Sequence, residues 1–261
     1  MLVPRGFTSI QAQNKIYLVG GELKENEIRT VVANATLVLN EQTYQVETKA
    51  PMKYGKCGHQ LAHFHRRFDF KTKDYIYAVG SKYPDDMARK TELYDIAKNK
   101  WYEVGELNQG RHFHSLCIVE NRYLFAIAGR DSQTETPLDS IERLDCYADI
   151  DNQKWEKLNL VNKDNQWSPR DTIGSFILGE AEILIFGGDQ GWISDCFCFN
   201  TKTNEIEKDE CPLKKPEEFF RSKPVHYNDK VFVVGSLDRD VHVYTPKVNK
   251  WFLLEKWFVD W

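Results

Sequence analysis

Apolar and polar positions alternate along this chain over short stretches, and the alternation recurs. Five apolar runs end in small residues: KIYLVGG (15–21), DYIYAVGS (74–81), RYLFAIAG (122–129), EILIFGG (182–188) and KVFVVGS (230–236). Aligned on Gly20, Gly80, Ala128, Gly187 and Gly235, they are spaced by 60, 48, 59 and 48 residues. A repeat of about 50 residues is the mark of a stacked or radial array. After each run, two alternating segments flank a polar turn rich in Asn, Asp, Lys or Thr, which predicts a β-hairpin. Tyr94 and Trp101, Tyr244 and Trp251, and Phe199 and Ile206 sit seven apart across such turns. Tyr147 and Trp155 are one residue further apart, and Leu39 and Tyr44 sit on a shorter turn. Before each run lies another strand-like segment: GFTSIQAQ, HQLAHFHRRF, FHSLCIVE, TIGSFILG and KPVHYN. Each unit thus predicts four strands, a to d. No 3.6-residue pattern exceeds about two turns, so the chain reads as nearly all β.

One four-stranded unit cannot bury both its faces, whereas units stacked radially can, with only short edges left. Glycine closing strand b permits positive φ and a close neighbouring backbone. Large aromatics on strands c and d fill the widening wedge between units, at about 150–250 Å² each. Trp101, Trp155 and Trp251 are therefore expected to be buried between units.

These features together resemble the kelch family of β-propellers over about residues 3–257. The elements are the doublets Gly20-Gly21 and Gly187-Gly188, the pairs Tyr94/Trp101 and Tyr244/Trp251, and a basic residue ahead of strand a. Gly80-Ser81, Ala128-Gly129 and Gly235-Ser236 depart from the full doublet, and Ile206 stands in place of a Trp. The expected fold is a single all-β, kelch-type propeller of four-stranded blades with five repeats, at about 3–50, 51–108, 109–161, 162–214 and 215–257. Kelch propellers usually have six or seven blades. A compact five-bladed ring is the favoured expectation, and an incomplete propeller completed by another segment is the alternative.

Composition narrows the function. Of 261 residues, 35 are Lys or Arg and 39 Asp or Glu, a net charge of −4. Wrapping nucleic acid calls for a basic excess, so that class is not expected. No apolar run approaches the roughly 20 residues of a membrane helix, and the first residues do not form a secretory signal. Six cysteines without a Cys-x-x-Cys predict reduced thiols and a cytoplasmic setting. Cys196 and Cys198 share a face of strand c and read as packed thiols.

Candidate chemistry is sparse. His63 and His65 share a face of strand a in the second unit, and His112 and His114 repeat that spacing in the third. The matching positions elsewhere are Thr8, Thr172 and Lys223, which breaks any ring of metal ligands. Polar lining of the axis is the simpler reading, and no metal or other cofactor is expected. The glycines at 187–191 lack a following helix and Lys-Ser/Thr, so they form a turn rather than a phosphate cradle. No Gly-x-Ser-x-Gly or His-Glu-x-x-His occurs.

A basic residue precedes each strand a: Arg5, Lys56, Arg111, Arg170 and Arg221. One per unit, they should gather on one rim. The kelch resemblance implies that such residues line the mouth where partners bind, and arginine suits bidentate contact with carboxylates. The competing reading is that each cation satisfies backbone carbonyls between blades. Tyr83 and Trp192 lie in polar b–c loops that share this rim and are candidate interface anchors. Trp167 and Phe219-Phe220, in d–a connections, read as blade packing.

The resemblance implies a non-enzymatic protein-interaction module: an adaptor, scaffold or assembly subunit, with a cytoskeletal role among the options. The expected partner is an acidic protein segment, within a larger assembly. A ubiquitin-ligase substrate receptor would need a BTB or F-box region, expected on another chain. The alternative from a different class is a kelch-type enzyme acting on a sugar or other small molecule.

Overall fold

A computed structural model describes residues 6–24, 30–68, 71–83, 85–188, 193–214, 219, 223–235 and 240–254. Five antiparallel sheets follow one another along the chain, each ordered a-b-c-d. Blade 1 comprises Thr8–Ala12, Lys15–Val19, Thr36–Asn40 and Val46–Lys49. Blade 2 comprises Gln60–Phe68, Lys71–Val79, Thr91–Asp95 and Lys100–Val104. Blade 3 comprises Ser115–Val119, Tyr123–Ile127, Ile141–Asp145 and Trp155–Lys157. Blade 4 comprises Gly174–Ile177, Glu182–Phe186, Cys196–Asn200 and Glu205–Asp209. Blade 5 comprises Val225–Tyr227, Lys230–Val234, Val241–Thr245 and Lys250–Leu254. Val161–Asn162 joins blade 4 by pairing in parallel with strand d. Among the described residues the one α-helix is a single turn, Asp85–Ala88, and none is long and apolar enough to cross a membrane.

The hairpin pairs expected at a spacing of seven form: Tyr94 opposite Trp101, Phe199 opposite Ile206, Tyr244 opposite Trp251. Two others correct the sequence reading. Leu39 pairs with Val46, while Tyr44 sits in the turn at φ +55° with its ring exposed. Trp155 pairs with Leu144, because a 3-10 turn at Ile150–Asn152 lengthens the connection. In both hairpins the turn absorbs the irregularity and the strand alternation survives, since register sets which face is buried.

Four apolar clusters join consecutive blades. Tyr17 and Val19 meet Ile76 and Ala78. Tyr77 and Val79 meet Leu124 and Ala126. Phe125 and Ile127 meet Ile183 and Ile185. Leu184 and Phe186 meet Val231 and Val233. Alternation along strand b thus sends successive residues to the preceding and the following blade. The a strands of blades 1 to 4 lie against one another in order, on the inside.

The three tryptophans are buried against the preceding blade as expected. Trp101 Nε1 donates to Thr36 Oγ1 at 3.1 Å and Ala50 O at 3.0 Å. Trp155 Nε1 donates to Thr91 Oγ1 at 2.9 Å. Trp251 packs on Phe186, at 4.9 Å between ring centroids, near Cys196. Thr36, Thr91, Cys196 and Ile141 occupy one register position, at the start of strand c. A hydroxyl or thiol therefore stands where the next blade brings an indole N–H. Apolar Ile141 stands where it brings Ile206, so that junction needs no polar partner.

Candidate partner-binding face

The end of the propeller where strand b stops and strand c starts carries the connectors with the basic residues. The structure places Lys56, Arg111 and Arg170 inside these connectors, essentially without exposure. This corrects the expectation that they present an open positive rim. Arg5, Arg221 and Trp192 lie outside the described residues.

Each buried cation is held by its own blade. Arg111 Nη1 donates to the carbonyls of Ala128 and Ser140, both at 2.9 Å, and Nη2 reaches Glu142 Oε1 at 2.6 Å. Burial lowers its pKa, with the Glu142 charge opposing. Glu142 also accepts from the backbone N–H groups of Asn108, at 2.6 Å, and Gln109, at 3.1 Å. One carboxylate thereby ties strand c to the incoming connector. Lys56 repeats the arrangement more weakly: Nζ donates to Lys90 O at 2.7 Å and lies 3.9 Å from Glu92. Burial lowers the Lys56 ammonium to about 8, against the pull of Glu92, whose own carboxyl burial raises.

Arg170 differs. Phe197 holds the register position of Glu92 and Glu142. The guanidinium stacks on Phe197 at 4.4 Å and Trp167 at 4.6 Å, and burial lowers it to about 10. Glu92 and Glu142 were not singled out as partners by sequence reading. Superposing TELYD (91–95) on IERLD (141–145) carries the signal, because an acidic residue occupies the same inward position in both.

The residue three after the cation sits beneath the glycine that ends strand b of the preceding blade. His59 lies under Gly20 and His114 under Gly80. Gly80 has φ +73°, and a Cβ there would collide with the Arg111 carbonyl, so only glycine fits. His112 and His114 are fully buried, with His114 beneath Gly80 of blade 2. Burial holds His114 well below its usual range and His112 at about 4, with Lys82 and Arg130 adding to the latter. Neutral His112 faces Glu135 at 3.7 Å without forming an ion pair at neutral pH. His63 pairs with Asp74 at 2.8 Å. Among the described residues no three His, Cys, Asp or Glu side chains group as metal ligands, and all six cysteines are free thiols.

Above this buried layer the b–c loops of blades 2 and 3 interlock. Ser132 Oγ donates to Ser81 O at 2.7 Å, and Ser81 Oγ donates to Tyr83 O at 2.7 Å. Asp131 accepts from the N–H groups of Gln133 and Thr134, both at 2.8 Å, and from Gln109 Nε2 at 2.7 Å. Burial would raise its carboxyl, but these donors hold it below the usual range. Beside this frame opens a polar cleft of about 650 Å³, lined by Arg89, Asn108, Gln109, Asp131, Gln133 and Lys157. Tyr83 is 47 % exposed, with the Lys82 ammonium 5.0 Å from its ring centre. Trp167 and Phe219 are buried between blades, as read from sequence, and Phe220 lies outside the described residues.

Residues 6–235 match the family model described as the KLHDC2/KLHL20/DRC7 Kelch-repeats domain. The chain belongs to the kelch-repeat family. It is 24 % identical over 220 residues to Kelch-like protein 41a of Danio rerio, covering 78 % of this chain and 32 % of that protein. It is 26 % identical over 144 residues to a RING finger domain and kelch repeat-containing protein of Dictyostelium discoideum, covering 55 % of this chain and 13 % of that one. Kelch-like protein 13 of Mus musculus is 27 % identical over 128 residues, 47 % of this chain and 18 % of its own length. The kelch chain thus spans at most about a third of these relatives. The solved structure titled "Structure of YjhT" superposes with a TM-score of 0.70 at 15 % identity, over 96 % of this chain and 84 % of that one. That likeness supports the propeller fold alone.

Proposed function

We propose that this kelch propeller is a non-enzymatic protein-interaction module, an adaptor or scaffold in a cytoplasmic assembly, that holds an acidic segment at its b–c end between blades 2 and 3. The observation that carries this reading is Tyr83. It is a large, half-exposed aromatic beside a Lys82 ammonium, its main-chain carbonyl held by the Ser81 hydroxyl, next to a cleft bearing Arg89 and Lys157. An aromatic anchor flanked by cations suits an acidic segment, with the charges steering approach and the ring supplying desolvated area. Lys56, Arg111 and Arg170 contribute by stiffening the layer beneath. They stay in the binding proposal as floor, with Arg5, Arg221 and Trp192 as further candidates from the sequence.

Tyr83→Ala combined with Arg89→Glu should deplete specific partners in affinity purification and mass spectrometry from the native source, with thermal melting unchanged. Full retention of every partner would overturn the assignment of this face. A small-molecule reading has one observation in its favour. A cavity of about 220 Å³ holds Ser115, Cys117, Ser175 and Lys223, whose ammonium donates to Leu61 O at 2.5 Å and is lowered by burial to about 8. A sugar screen by thermal shift, with Lys223→Met as control, tests it.

A further inference from the structure

The buried cations of the connectors each have a neighbour that offsets the charge. Arg111 meets the Glu142 carboxylate, Lys56 lies near Glu92, and Arg170 is stacked on two rings. Among the described residues Lys223 has neither a carboxylate nor a ring beside it. It stands just ahead of strand a of blade 5, and its ammonium reaches strand a of blade 2, where it donates to Leu61 O at 2.5 Å. Burial lowers this ammonium to about 8, and the nearby Cys117 thiol opposes the shift. Burial pushes that thiol itself up to about 11, so at neutral pH it is no anion. A carbonyl supplies a dipole but no counter-charge, which leaves a positive charge inside the protein in need of one.

Lys223 lines the cavity of about 220 Å³ between the inner strands of blades 3 and 4 and the entry to blade 5. The polar wall of this cavity is rich in donors. Ser115 Oγ and Ser175 Oγ lie 2.7 Å apart, and Ser175 Oγ lies 3.0 Å from Cys117 Sγ. Three O–H or S–H groups joined by two hydrogen bonds use two protons and leave one to donate outward. An ammonium has three N–H donors, and the Lys223 ammonium spends one on Leu61 O. Leu116, Ile173 and Phe176 form an apolar wall, and the exposed Ile177 and His226 mark the open side. A cavity of about 150 Å³ holds benzene, so this one has room for a small ring or branched chain carrying a charged group.

We propose, resting on the small-molecule reading of this cavity, that it binds a small monocarboxylate with an apolar body. The carboxylate is held by Lys223 and the Ser115–Ser175 hydroxyls, and the body lies against Leu116, Ile173 and Phe176. Charge sets the class. One ammonium matches one carboxylate, whereas a phosphate dianion brings a second charge for which the described lining holds no further Lys or Arg. A neutral sugar leaves the ammonium uncompensated and sets its hydroxyls against apolar side chains.

The test uses the full chain, with benzoate and isovalerate as probes beside their neutral isosteres benzamide and isovaleramide. Titration calorimetry at about pH 8.5, in two buffers of different ionisation enthalpy, should show the carboxylates binding with uptake of most of one proton, because the bound anion restores the ammonium. With an ammonium that titrates near 8, they should bind about tenfold more weakly at pH 9 than at pH 7. The other titratable groups in the lining are Cys117 and His226. Lys223→Met should abolish carboxylate binding, and Ser175→Ala should weaken it about fivefold. Proton uptake and the comparison with the amides need no variant, so they decide the matter even where Lys223→Met fails to fold. Amides that bind as tightly as the carboxylates overturn the proposal. So does tighter binding of phenyl phosphate, or carboxylate binding kept in Lys223→Met. Carboxylates that stay silent while a sugar gives a shift that Lys223→Met removes overturn the ligand class and keep the small-molecule reading. Silence from both overturns both. Partner capture through Tyr83 is read separately and is unaffected by Lys223→Met.

Discussion

The connectors that seat strand a of blade 3 and strand a of blade 4 occupy the same place in the repeat and are built from different chemistry. In blade 3, Arg111 is surrounded by two carbonyls and the Glu142 carboxylate, and His112 and His114 follow it. In blade 4, Arg170 stacks between Phe197 and Trp167, and Asp171 and Ile173 take the histidine positions. The next d strand follows suit. Trp155 donates to Thr91 behind blade 3, whereas Ile206 packs on Ile141 behind blade 4. A buried cation at this place can be neutralised by an anion or stabilised by ring faces, and each choice commits its neighbours.

The widest separation between the two connectors should come from removing the cation. Arg111→Met leaves the Glu142 carboxylate buried without its ion-pair partner and should cost about 3–5 kcal/mol in urea denaturation. Arg170→Met strands no carboxylate. It loses a desolvated cation–π contact while relieving a buried charge, and should cost about 2 kcal/mol or less. Equal losses would show that the two cations are held by backbone contacts common to both, and that Glu142 matters little.

Acid should separate the connectors next. Folding depresses the pKa of His112 and His114, so between pH 6.5 and about 4 the unfolded chain binds protons that the folded chain does not. Stability therefore falls as pH drops through that window, by up to ~1.4 kcal/mol per pH unit for each histidine. Borrowing the residue of blade 4, His114→Ile should shrink the stability difference between pH 7 and pH 5 by about 2 kcal/mol. An unchanged difference would place the acid sensitivity elsewhere.

The smallest expected effect is at the indole. Trp155→Phe keeps most of the packing but removes the donor to Thr91, and should cost about 1–2 kcal/mol. Adding Thr91→Val to that variant should recover part of the loss, since it recreates the apolar pairing of Ile206 with Ile141. No recovery would mean that ring volume alone sets the cost.

Much of the blade was legible in the chain because its determinants are local. Alternation along Lys15–Val19 or Glu182–Phe186 names both faces of a strand, and a polar turn between Tyr94 and Trp101 names the hairpin. Where the turn varies, as before Val46 and Trp155, spacing misled, because a loop can take up extra residues without altering the strand that follows. The candidate site was half legible. The recurrence of Lys56, Arg111 and Arg170 was visible, but their burial was not. It depends on Glu92, Glu142 and Phe197, which lie between 27 and 36 residues further on in sequence and arrive only when strand c closes over the connector.

The sequence alone thus determined the repeat, its four strands and the wedge tryptophans, because a period of two and a hairpin turn are properties of neighbouring residues. Tertiary structure alone decided which cations sit inside and which rings remain at the surface. Exposure is a property of what packs against a residue: Leu184 is buried against blade 5, whereas Phe232, at the matching position of its strand, is only partly buried.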